Sequence, residues 1–308
     1  MSGRRAVVVI VGPTAAGKSA AALAVAQHLD GEVINADAMQ LYVGMDIGTA
    51  KVSEVERATV PHHLLDIWPV TERASVVDYQ RRAVAAIADI LERDRTPVVV
   101  GGSGLYVRAL IDDLVIPPTD PDVRARWEAD LADRGPATLH AQLAILDPAA
   151  AAGILASNGR RIVRALEVVE LTGSYSATLP DGRYRYPVTV QIGLDAGDLD
   201  DRIAERVRKM FDAGLVDEVR RLEGAGLRGS PTASKALGYA QVLAATAADT
   251  EAPHGRLDHA ALIDETNVAT RRFARRQRSW FRRDNRIAWT RSVDDAITEG
   301  VAAGRAVC

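Results

Sequence analysis

The chain has 308 residues, 47% of them hydrophobic and 26% charged, a balance close to ordinary globular usage that argues against disorder and against a membrane span. Lys and Arg number 38 against 41 Asp and Glu, a net charge of −3, so whole-molecule charge predicts no polyanion partner and local clustering matters more. A single cysteine, Cys308, excludes an internal disulfide framework and fits a reducing, cytoplasmic setting.

The first apolar run, Ala6 to Val11, is rich in β-branched residues and reads as a buried strand. Gly12-Pro13-Thr14-Ala15-Ala16-Gly17-Lys18-Ser19 follows it directly, and Ala20 to Leu29 continues as a helix. Strand, glycine loop and helix in that order make a P-loop, whose backbone N–H groups form a nest for phosphate at a helix N-terminus. Lys18 adds a mobile positive charge for the outer phosphates, and the Ser19 hydroxyl is the usual Mg2+ ligand of this motif. Phosphate binding alone names no reaction.

Glu32 to Asn35 predicts a second strand, leading into Ala36-Asp37-Ala38-Met39-Gln40. Val76 to Arg93 has helical spacing, and Pro97 to Val100 is a third strand ending in Gly101-Gly102-Ser103-Gly104. In open α/β sheets ligands sit at the carboxyl ends of strands, so the P-loop, Asp37 and Ser103 are expected to meet in one crevice. Asp37 there is either a carboxylate reaching the crevice floor or the cap of a local turn. Val107 stands where a dinucleotide fingerprint needs its third glycine, which argues against a Rossmann site. Adjacent His62 and His63 point different ways on most backbones and read as structural.

Pro117-Pro118-Thr119-Asp120-Pro121 interrupts the alternation, and beyond it only helices are predicted: Val123 to Asp133, Ala137 to Leu146, Pro148 to Ala156 and Arg160 to Leu171. The strand signal returns with Tyr186 to Leu194, followed by helices over Asp200 to Ala213 and Val216 to Glu223 and a long terminal helix over Asp258 to Asp284. The fold class is therefore α/β, a P-loop parallel sheet with helices on both faces plus an inserted all-helical domain. Residues 1–116 with 185–308 form the core, and 117–184 the insertion. Arg271, Arg272, Arg275, Arg276, Arg278, Arg282, Arg283 and Arg286 fall in one short segment at the end of the terminal helix. They are either a solvated helix face or a local phosphate- or RNA-binding stripe; Phe273, Gln277 and Trp280 recur at the spacing of an inward face.

Beyond the P-loop, Asn35-Ala36-Asp37-Ala38-Met39-Gln40-Leu41-Tyr42, Gly44 to Lys51, Pro61-His62-His63-Leu64, Gly101 to Tyr106, Arg161 to Glu167, Arg202-Ile203, Gly238-Tyr239 and Arg275-Arg276-Gln277 with Trp280-Phe281-Arg282 together resemble the tRNA dimethylallyltransferase family, also called tRNA isopentenyltransferases. The resemblance covers nearly the whole chain. It implies transfer of a dimethylallyl group from dimethylallyl diphosphate to N6 of the adenosine 3′ of a tRNA anticodon, with the P-loop holding the leaving diphosphate rather than ATP. The residues it implicates are Lys18, Ser19 through Mg2+, Thr14 and Arg202 on the diphosphate, and Asp37 as the base that takes the N6 proton. Ser103, where many members carry Thr, would bind the adenine or steer Asp37. Asp37, Ala38, Met39, Gln40 and Ser103 are expected to meet the flipped base, and Arg124, Arg160, Arg161, Ile162, Val163 and Arg164 the anticodon stem. The expected enzyme is a cytoplasmic monomer with tRNA and dimethylallyl diphosphate as partners and no membrane contact. The competing readings are a P-loop small-molecule or nucleotide kinase and an RNA-binding adaptor.

Overall fold

Val7–Val11 forms β1, a strand with every residue buried, as a run of β-branched side chains covered on both faces should be. The strands that follow are β2 (Gly31–Asn35), β3 (His62–His63), β4 (Thr96–Gly101), β5 (Thr189–Leu194) and β6 (Ile287–Thr290). They make one six-stranded sheet in the order β3-β2-β4-β1-β5-β6, and every pairing is parallel. The computed structural model describes residues 5–176, 179, 182–249 and 257–305; Cys308 lies outside the described residues.

The chain divides into two compact units, Met1–Asp113 with Tyr184–Cys308, and Leu114–Arg183. The helices of the first unit are α1 (Lys18–His28), α2 (Glu54–Thr59), α3 (Val76–Glu92) and α4 (Gly104–Ile111). Those of the second are α5 (Pro121–Leu146), α6 (Pro148–Ala152) and α7 (Gly159–Thr172). The first unit then continues with α8 (Leu199–Asp212), α9 (Leu215–Gly224), α10 (Tyr239–Asp249), α11 (His259–Phe281) and α12 (Val293–Arg305). α1 and α12 pack together on the sheet, and α3 and α4 form another group on it. No helix among the described residues is long and apolar enough to cross a membrane.

Three differences from the sequence expectations have local causes. The terminal helix stops at Phe281 and is followed by β6 and α12; Ile287 to Thr290 is too short to announce itself and becomes a strand by pairing with β5. α5 is broken at Gly135, whose φ is 76°, so its two halves answer to the two predicted helices on either side of Gly135-Pro136. The second unit begins at Leu114 rather than 117 and ends at Arg183. The antiparallel bridge between Asp112 and Tyr184 closes the first unit on either side of it, and within it the Pro117 and Pro118 carbonyls accept hydrogen bonds from Arg164. Its separate core gathers Trp127, Leu139, Leu143, Ile162 and Leu166.

Candidate functional site

β1 and β4 are neighbours, with Val11 opposite Gly101, and β2 lies on the far side of β4, with Asn35 opposite Val100. The loops that leave their carboxyl ends therefore converge, and they carry the P-loop, Asp37 and Ser103. Gly12 has φ +146°, and a Cβ there would sit 2.2 Å from the Leu194 carbonyl oxygen, so no other residue fits the turn. Gly17, at φ 99°, caps α1 in the left-handed region, and its neighbours Lys18 and Ser19 start the helix with their N–H groups unspent, as anion binding requires.

Lys18 donates through Nζ to the Pro13 carbonyl at 2.7 Å, which folds its side chain back over the loop. Burial lowers its amine to about 8; the Asp37 carboxylate resists that shift and the Arg206 guanidinium adds to it. Lys18, Asp37 and Arg206 thus share one electrostatic neighbourhood. Pro13 and Ala16 are buried, Thr14 and Ala15 half-buried, and Ser19 exposed. The Thr14 N–H is donated to Gln277 Oε1 at 2.8 Å.

Of the two readings of Asp37, the turn cap is the one its contacts carry. Its Oδ1 accepts the Met39 N–H at 3.1 Å and caps the short 3-10 turn Ala38–Leu41, while Oδ2 takes no hydrogen bond from any described residue. Asn35, 3% exposed, holds the aspartate's backbone from both sides. Its Oδ1 accepts the Asp37 N–H at 2.9 Å, and its Nδ2 donates to the carbonyls of Asp37 and Leu64 at 3.1 and 3.0 Å. Ser103 Oγ accepts the Ala38 N–H at 3.0 Å. Gln40 donates to the carbonyls of Thr49 and Ala50 at 3.2 and 3.4 Å.

Beside the P-loop opens a cavity of about 870 Å3, lined by Ala15, Lys51, Arg57, Arg202, Arg206 and Met210 among others. Arg202 reaches it while its Nε donates to Asp198 at 2.8 Å. Arg206, one turn further along α8, is a residue that sequence reasoning missed, although four-residue spacing from Arg202 was its signal. It donates to the Thr49 carbonyl at 3.1 Å, and burial lowers the guanidinium's basicity against the pull of Asp37. The loop it touches is held by Glu218, 1% exposed, whose carboxylate accepts the N–H groups of Asp46, Ile47 and Gly48 at 3.2, 2.9 and 3.2 Å and the Tyr239 hydroxyl. Lys51 closes the loop with bonds to the Tyr42 carbonyl, Asp46 and Asp66 at 2.8, 2.8 and 2.6 Å.

The second unit divides the residues expected to meet the anticodon stem. Arg124 pairs with Glu167 through Nε at 2.9 Å and through Nη2, and Arg164 donates to Glu167 and to the Pro117 and Pro118 carbonyls at 2.9, 2.8 and 2.9 Å. Glu167 is fully buried. Burial alone would raise its carboxyl, but the bonds from Arg124, Thr119 and Arg164 outweigh this and hold it at about 2. Arg124 and Arg164 are therefore internal clamps, because a buried carboxylate needs paired charge more than the surface does. Ile162 and Val163 lie in the core of that unit, since their helical phase points them inward. Arg160 and Arg161 are exposed.

The arginine-rich segment at the end of α11 also splits. Arg278 and Arg282 bond to Asp195 at 2.7 and 2.9 Å. Arg286 bonds to Asp112 at 2.7 Å and lies over the Tyr184 ring at 4.4 Å. Arg272, Arg275, Arg276 and Arg283 are exposed. His63 meets Glu32 at 2.6 Å on the edge strand, which leaves the histidine pair structural. Among the described residues no group of three or more His, Cys, Asp or Glu could hold a metal ion.

A family model described as IPP transferase matches residues 40–284. A tRNA dimethylallyltransferase of Salinispora arenicola is 60% identical over 306 residues, covering 97% of this chain and 87% of its own length. One of Frankia casuarinae is 61% identical over 286 residues, covering 92% and 96%. Among solved structures, a full-length tRNA isopentenylpyrophosphate transferase of Bacillus halodurans superposes with a TM-score of 0.67 at 38% identity, covering 98% of both chains. A eukaryotic dimethylallyltransferase acting on tRNA gives 0.74 at 25% identity, covering 98% of this chain and 77% of that one.

Proposed function

The chain belongs to the IPP transferase family and is a prenyltransferase, and from that premise we propose that it moves the dimethylallyl group of dimethylallyl diphosphate onto N6 of the adenosine 3′ of the anticodon in tRNA, releasing diphosphate. The observation that carries this reading is the meeting of Lys18 and Asp37 at the ends of nearby strands, one within a phosphate nest and the other with a carboxylate oxygen unspent.

The reaction breaks the bond between the allylic carbon and the diphosphate oxygen, and the electron pair leaves with the diphosphate. Charge on that oxygen grows as the bond lengthens, so fixed donors aimed at it stabilise the transition state more than the ground state. The P-loop amides, Lys18, Arg202 and Arg206 supply such donors. Lys18, lowered to about 8, remains mostly protonated near neutral pH, and an arriving diphosphate favours the charged form further. The N6 lone pair, delocalised into the purine, forms the new bond to carbon while Asp37 Oδ2 takes the N6 proton. Asn35 and Ser103 hold the backbone around that carboxylate, so it reaches the base in a set direction.

The donor set fits magnesium. Ser19 Oγ sits exposed on the first turn of α1 with no hydrogen bond to a described residue, and no cage of acidic side chains surrounds it. This suits a cation that draws its remaining oxygens from water and substrate phosphate. Held by Ser19, the ion would neutralise charge on the diphosphate.

A stacked adenosine cannot reach the crevice, so the base is flipped in, bordered by Ala38, Met39, Gln40 and Ser103. Arg160 and Arg161 provide exposed charge for the anticodon stem, and the protein works as a cytoplasmic monomer. The decisive experiment incubates the protein with labelled dimethylallyl diphosphate, Mg2+ and unmodified tRNA. Label is expected in the RNA without ATP; ATP consumption with no label in RNA would replace this reading with a P-loop kinase.

A further inference from the structure

Gln277 sits on α11 at 5% exposure, and its carboxamide is spent on two loops that carry different parts of the site. Oε1 accepts the Thr14 N–H at 2.8 Å, and Nε2 donates to the Gly102 carbonyl at 2.9 Å. The orientation is unambiguous, because an amide N–H can only donate and a carbonyl only accept. The fit is also tight: a Cβ on Gly102 would lie 2.3 Å from Gln277 Nε2. From Gly102 the connection passes through Ser103, whose hydroxyl takes the Ala38 N–H at 3.0 Å. One buried side chain thus joins the diphosphate nest after β1 to the turn that anchors the residue following Asp37.

Resting on the prenyl-transfer reading above, we propose that Gln277 is a positioning residue that sets the spacing between the diphosphate nest and the base pocket. Nucleophile and allylic carbon have to approach within about 3–3.5 Å for reaction. The groups that hold them lie on separate loops; the β1–β4 ladder sets the strand ends as far as Val11 and Gly101, and beyond it the carboxamide bridge ties Thr14 to Gly102. The side chain itself touches neither reactant. Its effect falls on the allylic substrate and on turnover, while RNA affinity, which rests on exposed arginines, stays unchanged.

The test compares Gln277→Met, which keeps the length of the side chain and loses both bonds, with Gln277→Glu, which keeps the acceptor toward Thr14 and loses the donor toward Gly102. Phe281→Leu, a buried change on the same helix that leaves the bridge intact, controls for lost packing. Each variant is measured for KM of dimethylallyl diphosphate, kcat, tRNA affinity, pyrophosphate affinity and thermal midpoint. Gln277→Met should lower kcat and weaken pyrophosphate binding by about tenfold each, the worth of one or two lost hydrogen bonds, with tRNA affinity within about twofold. Phe281→Leu should lower the midpoint at least as much and leave KM and kcat near wild type. If Gln277→Met loses midpoint but keeps wild-type KM and kcat, or if Phe281→Leu shows the same kinetic losses, the residue only packs and the inference fails. Absence of prenyl transfer by the wild-type protein would instead overturn the functional reading, a separate result.

Discussion

The Ser103 hydroxyl accepts the Ala38 N–H at 3.0 Å, so the turn after β4 holds the residue next to the Asp37 carboxylate. Ser103→Ala removes that acceptor and leaves a half-buried N–H without a partner, which costs about 1–3 kcal/mol. Turnover should fall by about tenfold with tRNA affinity little changed, because the carboxylate loses its aim and the RNA its contacts do not. An equal loss of tRNA affinity, measured by filter binding, would make Ser103 a residue that holds the base rather than one that steers the carboxylate.

Asp37→Asn keeps an oxygen for the Met39 N–H and so preserves the local turn, but it removes the carboxylate proposed as proton acceptor. We expect kcat to fall by about 100-fold or more, with pyrophosphate and tRNA affinity within about twofold. Single-turnover kinetics separate the two effects. Wild-type chemistry in this variant would leave Asp37 a turn residue and nothing more.

Lys18, lowered to about 8 by burial, makes the proposed diphosphate site sensitive to pH. The amine loses its proton as pH rises through about 8, so pyrophosphate affinity measured by titration calorimetry should fall over that range, and Lys18→Met should abolish the dependence. The linkage to stability runs the other way. An unfolded lysine holds its proton to about 10.4, so between the two values the unfolded chain binds more protons and stability rises with pH. Below pH 8 the charged amine is a burden on the unliganded fold. Lys18→Met should therefore raise the thermal midpoint near neutral pH while weakening ligand binding, a trade of stability for function.

Arg124 and Arg161 should separate by type of defect. Arg124→Ala leaves the fully buried Glu167 with less opposing charge and should destabilise by about 3 kcal/mol, the low end for a broken buried pair, since Arg164 remains. Chemical denaturation of the whole chain reads this out. Arg160→Ala and Arg161→Ala, both at exposed positions, should change stability by no more than about 0.5 kcal/mol and lower the salt dependence of tRNA binding by about one in log–log slope per arginine that meets phosphate. A salt slope unchanged in the double variant would take this unit off the RNA.

Much of this molecule is legible along the chain. The buried strand Val7–Val11 running into Gly12–Ser19 and then a helix is a local signal, because hydrophobic period and glycine placement act within a few residues. Asp37 and Ser103 follow from strand ends in an α/β sheet, which bring the loops to one side whatever the details of packing. The resemblance in the motifs around Asp37 carried the chemistry further than the P-loop could. Arg206 lay one helical turn from Arg202 and was readable in principle.

What the chain order could not disclose is which distant partner each polar group meets. Arg124 and Arg160 look alike as basic residues of one helical insertion, yet one is paired with Glu167, 43 residues away, and the other is exposed. Gln277 reads as an inward-facing helix position, and its bond to Thr14 across 263 residues exists only once α11 is laid beside the sheet. Ile287 to Thr290 is a strand because β5 offers it an edge. Periodicity along a sequence encodes which side chains are buried, since burial depends on a face. Pairing depends on where the faces finally meet, and that is set by the packing of the whole chain.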